Sequence, residues 1–483
     1  MKRIGIYILL LGGLTASCGD WLNVQPHDQV SEEQLYSKAQ GYYNQLNGLY
    51  RSMASQELYG KELSWGFMDV LAQYYDMSNY SPWKDKTYRE VSQLNYDYER
   101  VKSYFSTYWE KMYNMIANCN NLIQNVSVAD SSLFPLREKE RRCIEGEARA
   151  LRGFLHFDLL RMYAPAMAVD SVGKYIPYVD YFPIHITTKM ENNKLMDKIS
   201  EDLLRGHELT MDFDTLYKSL TYLLYHRLEL TSSDMERFME HRGYRLNHYA
   251  IKALLARVNL WRGNKKEALK WASEIMDLVR NGWFRFTSES DIKNDKNMKL
   301  YGDVLFALYN NNLTLYESKT NDGKEQLAAW DYNTLFDTDA NRDYRRHQWE
   351  YDENEDYWKP VKYQEQSDKS TTGKVSNLMV PVLRCSEMCY IIAECSYAGD
   401  KDYAESYLSY IRQSRGCRTQ LESSNTQEEF NQLILKDFRR EFYGEGQLFY
   451  FYKRLGLEGI RDSRTTIKYD SKFVFPIPES DDI

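Results

Sequence analysis

The 483-residue chain lacks an apolar run of the roughly 20 residues that a membrane-spanning helix needs. The apolar stretch at its N-terminus, residues 4–14, is much shorter. This stretch follows the basic pair Lys2 and Arg3 and precedes small residues up to Cys18, an arrangement typical of a secretory signal. The sequence therefore predicts an export signal over residues 1–17 and one folded domain over residues 18–483.

Two cleavage sites are compatible with this signal. Residues 15–17 suit an ordinary signal peptidase, whereas residues 14–18 resemble a lipobox whose cysteine is acylated, although Leu14 lies one position further from the cysteine than usual. Cys18 directly follows the small residues and precedes a short polar tether, residues 19–20. We therefore expect Cys18 to be lipidated and its acyl chains to hold the protein to a membrane.

The chain also lacks an excess of basic residues. It has 62 Lys and Arg against 70 Asp and Glu, a net charge of −8. Proteins that bind nucleic acids need a basic surface to neutralise the phosphates. We therefore predict no nucleic-acid partner.

Cysteine is scarce, with seven residues in the whole chain. Without Cys18 an even number remains, which permits disulfides in an exported protein but does not require them. Cys385 and Cys389 are one helical turn apart in an apolar stretch, which indicates small buried residues rather than a metal site.

Catalytic signatures are missing as well: HExxH, GxSxG, the Walker loop and GxGxxG do not occur. A pair of carboxylates for glycoside hydrolysis stays open, because 70 acidic residues offer many pairs and sequence spacing says nothing about distance in space. We expect a binding protein that needs no cofactor and is not an enzyme.

Aromatic residues, in contrast, are abundant: 41 Tyr, 19 Phe and 10 Trp make up 14% of the chain. Tyr and Trp combine a flat apolar face with a polar edge, which suits both helix packing and the stacking of sugar rings. Composition alone leaves both uses open.

Apolar residues recur at helical spacing in four parts of the chain, 31–56, 100–164, 193–281 and 383–445. Residues 248–261 and 265–280 are two helical runs joined by a short turn, which resembles a tetratricopeptide unit, and residues 390–408 repeat the pattern. The stretches at about 60–100 and 281–380 lack this periodicity and are rich in polar residues and clustered aromatics. The predicted fold is mostly α, a helical framework with tetratricopeptide-like pairs that supports a loop-rich ligand-binding face.

Several segments, in the same order along the chain, resemble motifs of the SusD/RagB family of outer-membrane nutrient-binding lipoproteins of Bacteroidetes. They are DWLNVQP at 20–26, QVSEE at 29–33, EGEARALRGF at 145–154, the helix at 383–394, IRQSRG at 411–416, RREFYGEGQ at 439–447 and FPIPE at 475–479. One departure is Phe451, which stands where the family usually has Asp.

The resemblance implies a lipid-anchored protein of the outer membrane that faces the cell exterior. Such a protein captures an oligosaccharide, or a peptide in some members, and acts as a lid over a TonB-dependent transporter of the SusC type. Two other functions remain open, a tetratricopeptide-like envelope scaffold without a small ligand and a surface glycosidase.

Two aromatic clusters in the loop-rich stretches are the candidate ligand-binding residues. The first cluster is Trp65, Tyr75, Asn79, Tyr80 and Trp83, and the second is Trp330, Trp349 and Trp358. Their rings could stack on sugars while polar neighbours bond the hydroxyl groups. The alternative is that these rings pin the loops to the helices or fill a small core beneath them.

A weak calcium candidate lies in the second loop-rich stretch. Its alternating oxygen donors resemble the first ligands of an EF-hand loop: Asp337, Asp339, Asn341 and Asp343. The pattern then fails, because Arg342 occupies the position of the turn glycine and Gln348 that of the bidentate glutamate. We therefore expect no metal.

Overall fold

The computed structural model describes most of the chain from residue 32 onwards. The described residues are 32–77, 85–183, 185–217, 222, 226–228, 237–293, 297–321, 332–336, 342–354, 356–365, 375, 377–461 and 465–479. The predicted signal and Cys18 lie outside them and stay predictions. No helix in this described part is both long enough and apolar enough to cross a membrane.

The described chain is mostly helical, which confirms the predicted fold class. In chain order the helices are α1 (Glu32–Leu35), α2 (Ala39–Met53), α3 (Phe67–Leu71), α4 (Thr87–Ser92), α5 (Glu99–Val128), α6 (Arg137–Tyr163), α7 (Asn192–Met211), α8 (His248–Arg262), α9 (Lys265–Arg280), α10 (Glu289–Lys293), α11 (Leu313–Asn321), α12 (Tyr332–Leu335), α13 (Cys385–Ser396), α14 (Lys401–Ser414), α15 (Gln427–Glu441) and α16 (Leu448–Leu455).

Seven of these helices form a row in which each packs against the next: α5, α6, α7, α8, α9, α13 and α14. The two predicted tetratricopeptide-like pairs are present as α8 with α9 and α13 with α14. Gly263 ends α8 with a φ of 85°, and the Asn264 side chain caps α9 by accepting from the Glu267 amide at 3.3 Å. Asp400 caps α14 in the same way.

Close contact between α6 and α7 depends on glycine. A Cβ atom on Gly146 would lie 2.9 Å from the carbonyl oxygen of Gly206, and one on Gly206 would lie 2.7 Å from that of Gly146. Arg152, in the same EGEARALRGF segment, donates to both oxygens of Asp202 on α7 at 2.7 and 2.6 Å. The segment thus joins the two helices by close approach and by a buried bidentate ion pair.

The described chain also contains eight short strands, and some of them lie in the predicted loop-rich stretch 281–380. In chain order the strands are β1 (Lys174–Pro177), β2 (Lys189–Glu191), β3 (Val304–Tyr309), β4 (Trp349–Asp352), β5 (Tyr357–Pro360), β6 (Met379–Arg384), β7 (Gly459–Ile460) and β8 (Thr466–Ile467). They form four antiparallel pairs, β1–β2, β3–β6, β4–β5 and β7–β8. Strand β6 and nearly all of β3 are buried, so they lack the alternation that identifies a half-exposed strand in a sequence.

The largest hydrophobic cluster contains residues from Tyr36 to Phe475 and so joins both ends of the described chain. Phe475, in the FPIPE segment, lies 4.8 Å from the ring of Phe105 and 5.8 Å from that of Phe449, measured between ring centroids. Its amide donates to the Met162 carbonyl at 3.0 Å. The C-terminal segment is therefore part of the core.

Candidate ligand-binding site

A cavity of about 800 Å³ opens between α2, the segment 238–245 and the residues that follow β3. We call it the cleft. Its described lining consists of Asn47, Tyr50, Arg51, Ser52, Ala54, Ser55, Phe238, Glu240, His241, Tyr244, Arg245, Tyr309, Asn310, Asn311, Asn312 and Tyr316. The lining is thus rich in amide and aromatic side chains, a composition suited to a polar ligand with ring faces.

The amphipathic pattern of α2 presents a polar face to the cleft. Tyr42, Leu46 and Met53 on one face are buried in the core, while Asn47 and Arg51 on the other are exposed. Helical spacing therefore places Asn47 and Arg51 away from the core, while the buried Tyr50 belongs to the core and also lines the cleft.

Asn310 ties the loop after β3 to the end of α2. Its side-chain amide donates to the Ala54 carbonyl at 2.6 Å, and its side-chain oxygen accepts from the Asn312 backbone amide at 2.8 Å. These two bonds hold the loop beside the helix and leave Asn311 and Asn312 exposed at the mouth of the cleft. Both amide side chains can therefore reach a ligand.

Arg245 forms the inner wall. Its guanidinium lies 4.9 Å from the ring centroid of Tyr50 and 4.7 Å from that of Phe238, and Nη2 donates to Oδ1 of Asn47 at 2.6 Å. Tyr50 in turn donates to Glu147 at 2.7 Å, and burial raises the pKa of its hydroxyl well above the ordinary value. The wall is therefore rigid, with a neutral phenol against a charged guanidinium.

Among the buried polar atoms of the cleft lining that have no hydrogen bond to a described residue are the hydroxyl of Tyr244 and Nη1 of Arg245. The two residues are 6% and 8% exposed. The closest carboxylate to Arg245 Nη1 is that of Glu147, at 3.8 Å. Buried groups of this kind normally have partners, so a ligand that reaches these two donors would supply the missing acceptors.

Tyr309 supplies an exposed aromatic ring at the same place. It is 39% exposed, and its ring meets that of Tyr244 edge to face at a centroid distance of 5.8 Å. A sugar ring stacked on Tyr309 would lie beside the free Tyr244 hydroxyl. Stacking and hydrogen bonding are thus available together, which is the combination that sugar recognition uses.

Of the first predicted cluster, Trp65 and Tyr75 are buried at 3% and 0% exposure. Trp65 stacks on Tyr363 at 5.3 Å, and the Tyr75 hydroxyl donates to the Trp65 carbonyl at 3.0 Å. Both rings are packed against other parts of the chain, so in this conformation neither ring has a free face for a sugar. Asn79, Tyr80 and Trp83 lie outside the described residues and stay predictions.

The second predicted cluster is also engaged in packing. Trp349 is 5% exposed and lies 4.2 Å from the ring of Tyr443, while the half-buried Trp358 stacks on Tyr332 at 3.6 Å. Trp330 lies outside the described residues. The described residues of the two predicted clusters therefore do not line the cleft. The ligand contacts assigned to the clusters stay predictions.

The calcium candidate is represented by one described residue, Asp343. It is fully buried and forms an ion pair with Arg345, with atoms 2.7 Å apart, and it also accepts from the Arg345 backbone amide. Asp337, Asp339 and Asn341 lie outside the described residues. Within the described residues, no group of three or more His, Cys, Asp or Glu side chains could hold a metal ion.

The RREFYGEGQ segment has a structural role. Glu441 accepts from Arg384, Arg415 and Arg345, all of them fully buried. Gly444 and Gly446 both donate their amides to Asp69, at 2.6 and 3.1 Å. The segment therefore joins α15 to three distant parts of the chain and lies apart from the cleft.

Sequence reasoning predicted none of the cleft residues, because they come from three separate stretches, 47–55, 238–245 and 309–316. One signal was available: three consecutive asparagines, residues 310–312, stand between Tyr309 and Tyr316 in a stretch without helical periodicity. Nothing in the sequence pairs this run with α2 or with Arg245.

Two family models match the chain. A model described as "Starch-binding associating with outer membrane" matches residues 20–260, and one described as "SusD family" matches residues 243–475. Together the two matches span residues 20–475. No curated protein matches the chain.

Several solved structures share the fold. A putative sugar binding protein from Bacteroides vulgatus has a TM-score of 0.70 at 21% identity, with 92% of this chain and 95% of that chain covered. A SusD superfamily protein from Bacteroides thetaiotaomicron has a TM-score of 0.65 at 20% identity, with 90% and 93% covered. A SusD-like carbohydrate binding protein from Bacteroides vulgatus has a TM-score of 0.65 at 16% identity, with 88% and 85% covered. The two matching models and the shared fold agree with the ordered motifs, and the chain belongs to the SusD family.

Proposed function

We propose that this protein binds an oligosaccharide or polysaccharide in the cleft. The observation that carries the proposal is the unpartnered Tyr244 hydroxyl beside the exposed ring of Tyr309. The description of the matching family as starch-binding supports it, as does the similarity to a putative sugar binding protein.

Binding in the cleft would combine several weak contacts. Tyr309 stacks on the apolar face of a sugar ring, while Tyr244, Asn311 and Asn312 bond its hydroxyl groups. Each such contact contributes little alone, so affinity depends on their fit to the shape of the glycan. We also propose that the protein binds the glycan without cleaving it, which the description of the matching family as starch-binding supports.

We also propose where the protein binds its ligand and where the ligand goes next. The protein associates with the outer membrane, held by lipid on Cys18 and facing the cell exterior, and passes its ligand to a SusC-like TonB-dependent transporter. The family description supports the membrane, and the sequence of residues 14–18 supports the anchor. Two acyl chains are sufficient for stable membrane attachment.

The test uses the soluble form that lacks residues 1–18 and a panel of plant and host polysaccharides, with binding measured by calorimetry. Tyr309→Ala and Asn311→Ala should weaken binding of the retained glycan. Tyr410→Ala is the matched control, because Tyr410 is 41% exposed but lies on α14, outside the cleft lining. Equal loss in the control would contradict a site at Tyr309.

Turnover is tested on the same samples by analysis of reducing ends after prolonged incubation. Release of reducing sugar would establish a glycosidase. Absence of glycan binding, together with retention of an extended peptide that Tyr309→Ala abolishes, would move the proposal to the peptide-binding alternative.

A further inference from the structure

The charges that line the cleft differ in sign from the charge of the whole chain. The chain carries a net charge of −8, yet the described lining contains two arginines, Arg51 and Arg245, and one carboxylate, Glu240. The lining also contains the half-buried His241. Among the lining residues, positive charges therefore exceed negative ones by one, and Glu147, outside the lining, lies 3.8 Å from Arg245 Nη1.

The two arginines are available in different ways. Arg51 is exposed near the end of α2 and forms no ion pair with a described residue. Arg245 is held in place by Tyr50 and Phe238, but its Nη1 makes no hydrogen bond. Arg51 is thus exposed, whereas Arg245 is fixed, with an Nη1 that makes no hydrogen bond to a described residue and lies 3.8 Å from the Glu147 carboxylate.

Arg152 is a buried arginine with complete partners, since it donates to both oxygens of Asp202 and to the Asn120 side chain. Arg257 and Arg415, like Arg245, keep Nη1 without a hydrogen bond to a described residue. Of these three, Arg245 is the one that lines the cleft. A buried guanidinium that keeps a free nitrogen is costly unless a ligand completes it. Arg245 is therefore suited to a bound acceptor that carries negative charge.

We propose that the glycan bound in the cleft is acidic and that its anionic group is held by Arg51 and Arg245. The chemical class is a sugar with a carboxylate or a sulfate ester. This inference rests on the proposed function, since it specifies the ligand of the same site. Tyr309 stacks on the ring, and the two guanidinium groups bind the anionic substituent, whose oxygens match their donors.

The decisive experiment compares each charged ligand with a neutral derivative of the same backbone. Oligogalacturonate and its methyl ester have the same backbone, and a sulfated galactan oligosaccharide and its desulfated form make a second pair. We expect the charged member of one pair to bind about tenfold more tightly at low salt, as charge-assisted hydrogen bonds predict. The carboxylate pair and the sulfate pair identify which anion the site takes.

Salt provides an independent readout. The preference for the charged ligand should shrink as sodium chloride is raised from about 0.05 M to about 0.5 M, because screening acts on the exposed Arg51 contact. Affinity for the neutral member should stay nearly constant.

Variants locate the effect. Arg51→Gln should weaken binding of the charged ligand more than binding of the neutral one and so reduce the preference, while Arg51→Lys retains part of it. Arg205→Gln is the control, because Arg205 is exposed on α7 but outside the cleft lining. Equal affinity for the charged and neutral members of both pairs would overturn the inference and leave glycan binding intact. Failure of every glycan to bind would instead overturn the proposed function.

Discussion

The guanidinium of Arg415 and the carboxylate of Glu441 form two hydrogen bonds, of 3.0 and 2.7 Å, between side chains with no exposed surface. Arg415 follows α14, and Glu441 is the last residue of α15. Arg384 and Arg345 donate to the same carboxylate from two other parts of the chain. These arginines hold the pKa of Glu441 well below its ordinary value against the opposing effect of burial. One carboxylate therefore organises the junction of four segments.

Glu441→Gln should destabilise the protein strongly. The substitution keeps the shape of the side chain but leaves three buried guanidinium groups without their shared charge, and loss of one partner of a buried pair costs about 3–5 kcal/mol. Urea unfolding at neutral pH measures the change in the free energy of unfolding.

Glu289→Gln provides the control for this substitution. Glu289 pairs with Lys293 on the surface, where such a pair contributes roughly 0–1 kcal/mol. If both variants lost equal stability, the buried cluster would not be the source of the effect.

Gly446→Ala should also lower stability, and Gly456→Ala is its matched control. The two glycines have nearly the same backbone conformation, with φ values of 66° and 65°. A methyl group on Gly446 would overlap the carbonyl oxygen of Leu63, whereas one on Gly456 would meet no atom within 4 Å. The control should therefore lose about 1–2 kcal/mol from left-handed strain alone, and Gly446→Ala clearly more.

The comparison is made by thermal and urea unfolding of both variants. Similar losses would show that the loop of Leu63 moves away at little cost and that the close approach is not needed for stability.

His156 should make stability depend on pH. Burial lowers its pKa from 6.5 to about 3. Its Nε2 accepts the Val179 amide at 3.0 Å, so protonation there would break a buried hydrogen bond. Because the folded-state pKa is depressed, the stabilisation is complete above about pH 6.5 and is lost as the pH falls towards 3, by about 1.4 kcal/mol per pH unit for one proton.

Unfolding of the native protein and of His156→Gln between pH 7.5 and 4.5 tests this expectation. As the pH falls, the free energy of unfolding of the native protein should drop more steeply than that of His156→Gln. The difference in slope should be up to about 1.4 kcal/mol per pH unit, the value for one proton. The exposed His185, replaced by Gln, serves as the control and should leave the slope unchanged. Parallel curves for native protein and His156→Gln would contradict the assignment.

Trp349→Ala should destabilise the fold by about 3–5 kcal/mol, the usual cost of removing a buried tryptophan. Its ring is packed against Tyr443 and is 5% exposed. Trp358→Ala should cost less, because that ring is only half-buried. Unfolding and glycan binding are measured on the same samples. If Trp349→Ala kept its stability but lost glycan binding, Trp349 would be a ligand-binding residue rather than a core residue.

The helical framework could be predicted because its signals are local. The period of apolar residues and the turn at 262–264 lie within single helices or pairs, and α8 and α9 formed where the sequence placed them. Strands β3 and β6 could not be predicted from the sequence. Their pairing joins residues some 75 positions apart, and both strands are almost wholly buried.

The sequence by itself determined the family, the mostly helical fold and the abundance of aromatic rings. Tertiary structure decided which of those rings face solvent. From the sequence, Trp65 and Tyr75 are candidates for stacking on a sugar, yet both are covered by other parts of the chain. Tyr309, in contrast, is 39% exposed. One side of the cleft is fixed where the Asn310 side chain donates to the Ala54 carbonyl, 256 residues away in the sequence. Burial and long-range contact depend on the packing of the whole chain, and no local pattern contains them.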